Sequence, residues 1–206
     1  MISRTRSLRS VVVVAAAAGA LLLPAAASAG PLVASAPDCD GQVLSQPFTP
    51  WADVASYTLN DGGAFEGGRS AWLLDNASVS DGNEPFFVTA ATDSHSLTIA
   101  DGGSAVSAPI CVGIEHPDIR FFAKAANPVA GLKVEVLFET ARGDIVSAPI
   151  GSVTGSKGWA PTAPMPIAAN LLALIPGEHT PVAFRFSARG GSFQIDDLYV
   201  DPYRSW

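Results

Sequence analysis

"GGSFQIDDLYVDP", residues 190–202, is the stretch on which the reading of this chain turns. Phe193, Gln194 and Ile195, followed by Leu198, Tyr199 and Val200, have the aromatic and β-branched character of a strand, yet Asp196 and Asp197 stand side by side in its middle. Aspartate is depleted from strands and is seldom buried without a partner. Side chains alternate along a strand, so Phe193 and Ile195 share one face while Leu198 and Val200 share the other. One inserted residue at the Asp pair brings all four to the same side, which is what a β-bulge does. The carboxylates on such a bulge need backbone N–H donors, a basic partner such as Arg185 or Arg189, or a cation.

Neighbouring stretches use the same period of two. In "LKVEVLFE" (132–139), Leu132, Val134, Val136 and Phe138 fall on one face, with Lys133, Glu135 and Glu139 on the solvent side. "VAFRFSAR" (182–189) sets Val182, Phe184 and Phe186 against Arg185 and Ser187. Further strands are predicted at Val54–Leu59, Trp72–Leu74 with Ala77–Val79, Phe86–Val88, Ser96–Ile99, Ala108–Val112, Ile119–Lys124 and Ile145–Ile150. Turn chemistry separates them: "NDGG", "DNAS", "SDGNEP", "ADGG", "ARGD" and "PGE". Such short strands with frequent turns imply an all-β antiparallel sandwich or barrel. The one helix-like stretch, "IAANLLALI" (167–175), lies between prolines and is long enough for a turn or two, or for an irregular strand. "DGG" at 61 and 101 and "SAPI" at 107 and 147 are recurrent turn chemistry, since the sequence between them does not repeat.

The N-terminus reads as an export signal. Arg4, Arg6 and Arg9 precede an apolar run from Val11 to Leu23, and Ala27-Ser28-Ala29 offers a small-residue cleavage site. The run is short for a membrane span, which leaves an uncleaved anchor as the competing reading. Without a twin arginine or a cysteine after the site, the plain secretory route is expected. Cleavage after Ala29 removes three arginines and no acids, so 9 Lys+Arg face 19 Asp+Glu and the formal charge moves from −7 to −10. An acidic chain without basic clusters is a poor partner for nucleic acid or anionic membranes. The expected organisation is a signal peptide (1–29), a lead-in (30–50) and one β-sandwich domain (51–206), secreted and not inserted in a membrane after cleavage.

Two cysteines remain, Cys39 and Cys111. An even count in an exported chain predicts that they pair, tying the lead-in to the middle of the domain. Closing that loop stabilises by roughly 4 kcal/mol in the chain-entropy picture.

Catalytic signatures are sparse. His95, His116 and His179 lie beside turn residues without zinc-ligand spacing, and no nucleophile elbow, S-x-x-K or phosphate-cradling glycine loop occurs. Glu66, Glu84, Glu115, Glu135, Glu139 and Glu178 could supply a carboxylate pair for glycoside hydrolysis, the third-ranked reading. Most strand aromatics belong to the core. Trp51, Trp159, Tyr203 and Trp206 sit in turn-rich or terminal contexts and are the candidates for a ligand-binding surface.

An earlier stretch, "DGGAFEGGRSAW" (61–72), complements the closing strand. Its Gly-small-Phe-Glu-Gly order followed by Trp72, together with "FQIDDL" (193–198), resembles the two ends of the CenC-type carbohydrate-binding modules. That group has a galactose-binding-like jelly-roll sandwich, and the resemblance spans roughly residues 62–200. It implies a jelly-roll topology and a structural Ca²⁺ held by Glu66 with Asp196, or with Asp197 if the strand bulges. Hard oxygen ligands suit that ion, and clustered carboxylates repel without one. The expected function is a secreted, non-catalytic module that binds a carbohydrate or another cell-surface ligand. The alternative is a structural or interaction protein of the cell envelope without sugar specificity.

Overall fold

The computed structural model describes residues 41–67, 71–113, 117–140, 142–167 and 179–202. The strands among them are β1 (Thr58–Leu59), β2 (Leu73–Asp81), β3 (His95–Val106), β4 (Ile110–Val112), β5 (Asp118–Ala125), β6 (Gly131–Glu139), β7 (Ile145–Thr154), β8 (Ala160–Pro161), β9 (Met165–Pro166), β10 (Thr180–Arg189) and β11 (Phe193–Asp201). A 3₁₀ turn spans Thr49–Trp51. Every strand pairing is antiparallel. The chain is an all-β sandwich of the jelly-roll kind.

Two layers share a bent hairpin. In one layer β7, β6 and β10 lie side by side, and the free edge of β10 takes β4 and the C-terminal half of β3. In the other, β11 lies between β5 and the N-terminal half of β3, with β8 and β9 beyond β5 and β1 on the end of β11. β3 crosses between layers at "ADGG" (100–103), a stretch whose composition predicts a turn. Gly102 adopts φ +76 there, and β2 slips register beside it at Asn76, φ +49. The glycines thus bend a strand instead of ending it.

The core fills the space between layers. Leu132, Val134, Val136, Val182, Phe184 and Phe186 face Ile119, Phe121, Phe193, Ile195, Leu198 and Val200, and all are fully buried or nearly so. Phe121 meets Phe186 edge-on across the layers at 5.2 Å, and Trp72 stacks on Phe186 at 5.7 Å. Burying each such side chain contributes about 1.5–3 kcal/mol, which makes this face the main source of stability.

The closing strand carries the expected bulge. Register with β5 slips between Asp196 and Tyr199, and Asp197 adopts φ +51. Phe193, Ile195, Leu198 and Val200 consequently all enter the core, while Tyr199 joins a second cluster with Phe48, Tyr57 and Phe122.

Several expected boundaries differ. Only Thr58–Leu59 of the predicted strand at 54–59 pairs as a strand. Phe86–Val88 is not a strand. The Glu84 carboxylate accepts the N–H groups of Phe86 and Val88, and Phe87 turns to φ +52, so the donors a ladder requires are already used. Glu135 does point away from the core, but it is only 8% exposed because Lys133 and Arg185 close over it. Residues 168–178, with most of the helix-like stretch, lie outside the described residues, as do the signal segment, Cys39, Glu115, His116, Glu178, Tyr203 and Trp206.

Candidate functional site

The outer face of the β11–β5 layer follows from the bulge. Because Phe193, Ile195, Leu198 and Val200 point inward, Asp196, Asp197 and Tyr199 point outward, beside Arg120, Phe122 and Lys124 of β5. Two segments cover this face: residues 45–57, through Phe48 and Tyr57, and the loop 82–94 between β2 and β3. Arg120 fixes the first. Its guanidinium lies 4.2 Å above the Phe48 ring, donates from Nε to the Thr162 carbonyl at 2.8 Å, and pairs through Nη1 with Asp53 at 2.6 Å. Burial pushes the Asp53 carboxyl upward, but hydrogen bonds from Tyr57, Ala55 and Arg120 win and hold it below its ordinary range.

The second segment brings a third acid to the pair. Glu84 is fully buried, as is Asp196, and Asp197 is 1% exposed. Asp196 accepts N–H bonds from Glu84 at 3.0 Å and Asp197 at 3.0 Å; Asp197 accepts the Thr89 hydroxyl at 2.7 Å, and that hydroxyl lies 2.9 Å from the Tyr199 phenol. Arg185 is on the opposite layer beside Glu135, so among the described residues the pair is answered by backbone and hydroxyl donors and by no arginine. Burial foremost, and then the Asp197 charge, pushes Asp196 up to about 9; burial pushes Asp197 up to about 7, against the Thr89 bond and with the Glu84 charge adding to the rise. Oδ2 of Asp197 has no donor. Glu84 faces it, but two ionised carboxylates are both acceptors, so this oxygen calls for a shared proton, a water molecule or a cation.

Glu66, the acid of the "GGAFEGG" stretch, goes elsewhere. Its carboxylate accepts N–H bonds from Ser94 and His95, both at 2.6 Å, and lies 2.9 Å from His95 Nδ1. What joins this stretch to the closing strand is main chain: Asn60 N–H donates to the Leu198 carbonyl and Leu198 N–H to that of Gly63. Among the described residues, no three His, Cys, Asp or Glu side chains are arranged around one point as metal ligands would be. The carboxylate opposite the Asp pair is thus Glu84, which the sequence offered only as one of six glutamates, and whose neighbours "PFFV" resemble a strand.

Trp51 and Trp159 pack against the cluster that contains Phe122. Trp51 packs edge-on to Phe122 at 5.4 Å and to Phe86 at 4.9 Å; Phe86 lies 5.5 Å from Phe122, and Trp159 packs against the same cluster with Lys124 5.0 Å above its ring. Trp51 and Trp159 are part-exposed, while Phe86 is 44% and Phe87 47% exposed. Alternation cannot reveal this patch, because its parts come from four separated segments.

Ser94, His95 and Glu66 meet without forming a catalytic relay. Ser94 Oγ and Glu66 Oε2 both address Nδ1 of His95, at 3.0 and 2.9 Å, whereas relay catalysis needs them on opposite nitrogens. Cys111 is fully buried in β4, and no described cysteine is free.

No protein-family model matches this chain. No curated relative matches either. Solved structures with similar coordinates include the family 11 carbohydrate-binding module of cellulase Lic26A-Cel5E from Clostridium thermocellum, 15% identical over 74% of this chain and 98% of that one, TM-score 0.45. The CBM22-1 xylan-binding domain from Paenibacillus barcinonensis Xyn10C is 15% identical over 69% and 94%, TM-score 0.45. TmCBM61 in complex with β-1,4-galactotriose is 14% identical over 71% and 99%, TM-score 0.41.

Proposed function

We infer that this chain is an exported, non-catalytic glycan-binding module whose aromatic contact surface is Trp51, Phe86 and Trp159. The observation that carries this reading is that Trp51 and Phe86 pack on Phe122 while Trp159 packs against the same aromatic cluster, so that all three surround one face of the sheet. Sugar rings present apolar C–H faces that stack on aromatic side chains, and a preformed platform avoids the entropy of assembling one. Lys124, above Trp159, adds a hydrogen-bond donor for hydroxyls at its rim.

The same reading includes a structural calcium ion. The chemistry of the donors fits a hard cation: three buried carboxylates, an orphaned Asp197 oxygen and, among the described residues, no basic side chain paired to them. Asp197 and Glu84 would hold it together with backbone carbonyls, in place of the Glu66 pairing expected from sequence. Its role is to neutralise the acids under the loop 82–94, which also carries Phe86. The Cys39–Cys111 bridge completes the proposal, fastening the lead-in beside the buried Cys111.

Sedimentation with a panel of insoluble polysaccharides tests the function. The secreted chain should co-sediment with at least one, and Trp51→Ala with Trp159→Ala should abolish this without changing the fold. Wild-type levels of binding by that double variant would dispose of the aromatic surface.

A further inference from the structure

The opposite outer face of the sandwich is built differently. Antiparallel register sets Ser104 of β3, Ser187 of β10, Lys133 of β6 and Ser152 of β7 in one row across four strands. The next row is Arg189, Gly131 and Thr154, and the row on the other side is Val106, Arg185, Glu135 and Pro149. Strands lie about 4.8 Å apart, so the serine–lysine row runs for roughly 14 Å. Gly131 has no neighbour within 4 Å of where a Cβ would project, which leaves a notch between Lys133 and Arg189. The groove so formed has a volume of about 350 Å³.

Charge on this face runs against that of the molecule. The chain carries −7 formally, yet Lys133, Arg185 and Arg189 gather here, three of the seven basic residues in the described segments. Glu135 organises two of them. Its shielded carboxylate takes Lys133 Nζ at 2.8 Å and Arg185 Nη1 at 3.8 Å, while the Lys133 and Arg185 side chains stay 54% and 36% exposed. Arg189 is exposed and has no ion-pair partner among the described residues. The other acids nearby are Asp75, which faces Ser104, and Asp101, which accepts the Gly190 N–H. No aromatic ring stands in any of the three rows.

We propose that this groove binds an anionic polysaccharide, with Lys133 and Arg189 engaging successive carboxylate or sulfate groups and Ser104, Ser152 and Ser187 bonding hydroxyls between them. An extended row of donors suits a polymer. Arginine presents a planar fork matched to a carboxylate, and charge-assisted bonds of this kind are roughly twice as strong as neutral ones. Glu135 is a positioning residue, holding two cations side by side against their mutual repulsion. This inference rests on the glycan-binding reading but uses the other face of the sandwich.

Affinity electrophoresis of the secreted chain through native gels containing polygalacturonate, dextran sulfate or neutral dextran tests it. In about 20 mM salt, retardation is expected in an anionic gel and not in dextran, and it should weaken in 300 mM salt as exposed charges are screened. Lys133→Ser with Arg189→Ser should lose at least tenfold in affinity, whereas Arg142→Ser with Lys157→Ser, which removes the same charge from exposed positions elsewhere, should stay within twofold. Retardation by polygalacturonate alone identifies carboxylate recognition; retardation by dextran sulfate as well identifies anion recognition in general. No retardation in either anionic gel, equal retardation in dextran, or an equal loss in the two double variants would overturn the proposal. Polysaccharide sedimentation that still depends on Trp51 and Trp159 would then show that the glycan-binding reading survives without this groove.

Discussion

At the scale of single residues, Asp197 combines two demands that rarely coincide. Its backbone sits in the left-handed region, φ +51, and its side chain is buried with one oxygen lacking a donor. Asp197→Gly should keep the backbone conformation while deleting the carboxylate; Asp197→Ala deletes it and adds strain of about 1 kcal/mol. Thermal melts of the two variants should therefore separate by a few degrees, with glycine the more stable. Arg120 is a simpler case. Arg120→Met leaves Asp53 without its ion pair and Thr162 without its donor, and should destabilise by about 3 kcal/mol in urea unfolding. His95, like the buried acids, titrates above its ordinary value, and its partner Glu66 below. Its hydrogen bond to Glu66 raises it and holds Glu66 down, so this contact contributes fully between the two groups' ordinary values. It is lost as pH rises through the raised His95 value, or falls through the lowered Glu66 one.

Among the elements, the β2–β3 hairpin and the closing strand do most to set the architecture. A Cβ on Gly103 would lie 2.4 Å from the Asn76 carbonyl oxygen, which is backbone and cannot swing away. Gly103→Ala should cost at least about 2 kcal/mol, read as a lower urea midpoint, because the crossing point of both layers must shift. The bulge in β11 was legible in the sequence: side-chain parity alone requires one extra residue between Ile195 and Leu198 to bury both. The loop 82–94 was not. "PFFV" has the composition of a strand, and what unmakes the strand is a glutamate two residues upstream bonding the very N–H groups that pairing would need. Composition carries no trace of that competition. Likewise "ADGG" is turn chemistry used to bend a strand, a choice fixed by the partner strand's slip at Asn76.

For the whole molecule, the sandwich presents two unlike outer faces from one period-two code. Inward positions were readable everywhere that alternation is clean, as in Leu132 to Val136 and Val182 to Phe186. Sites were much less readable, since each gathers residues from segments far apart: Trp51, Phe86, Phe122 and Trp159 on one side, Ser104, Lys133, Ser152 and Arg189 on the other. Stability should reflect the buried acids. Their raised values, about 9 for Asp196 and about 7 for Asp197, mean that in metal-free protein the folded state binds more protons than the unfolded one. That contribution is full below the ordinary aspartate value and is lost as pH rises through 7 and then 9. In EDTA, melting temperature should fall across this window, whereas excess Ca²⁺ should oppose the fall and raise melting by several degrees at pH 8. Identical melts with EDTA and with Ca²⁺ across the range would count against the ion. The glycan-binding claim itself is tested most directly by co-sedimentation of the secreted chain with insoluble polysaccharides, beside the Trp51→Ala, Trp159→Ala double variant. Binding to at least one polysaccharide, lost in a variant whose fold is intact by circular dichroism, is the predicted result; no binding across the panel, or equal binding by the variant, would contradict it.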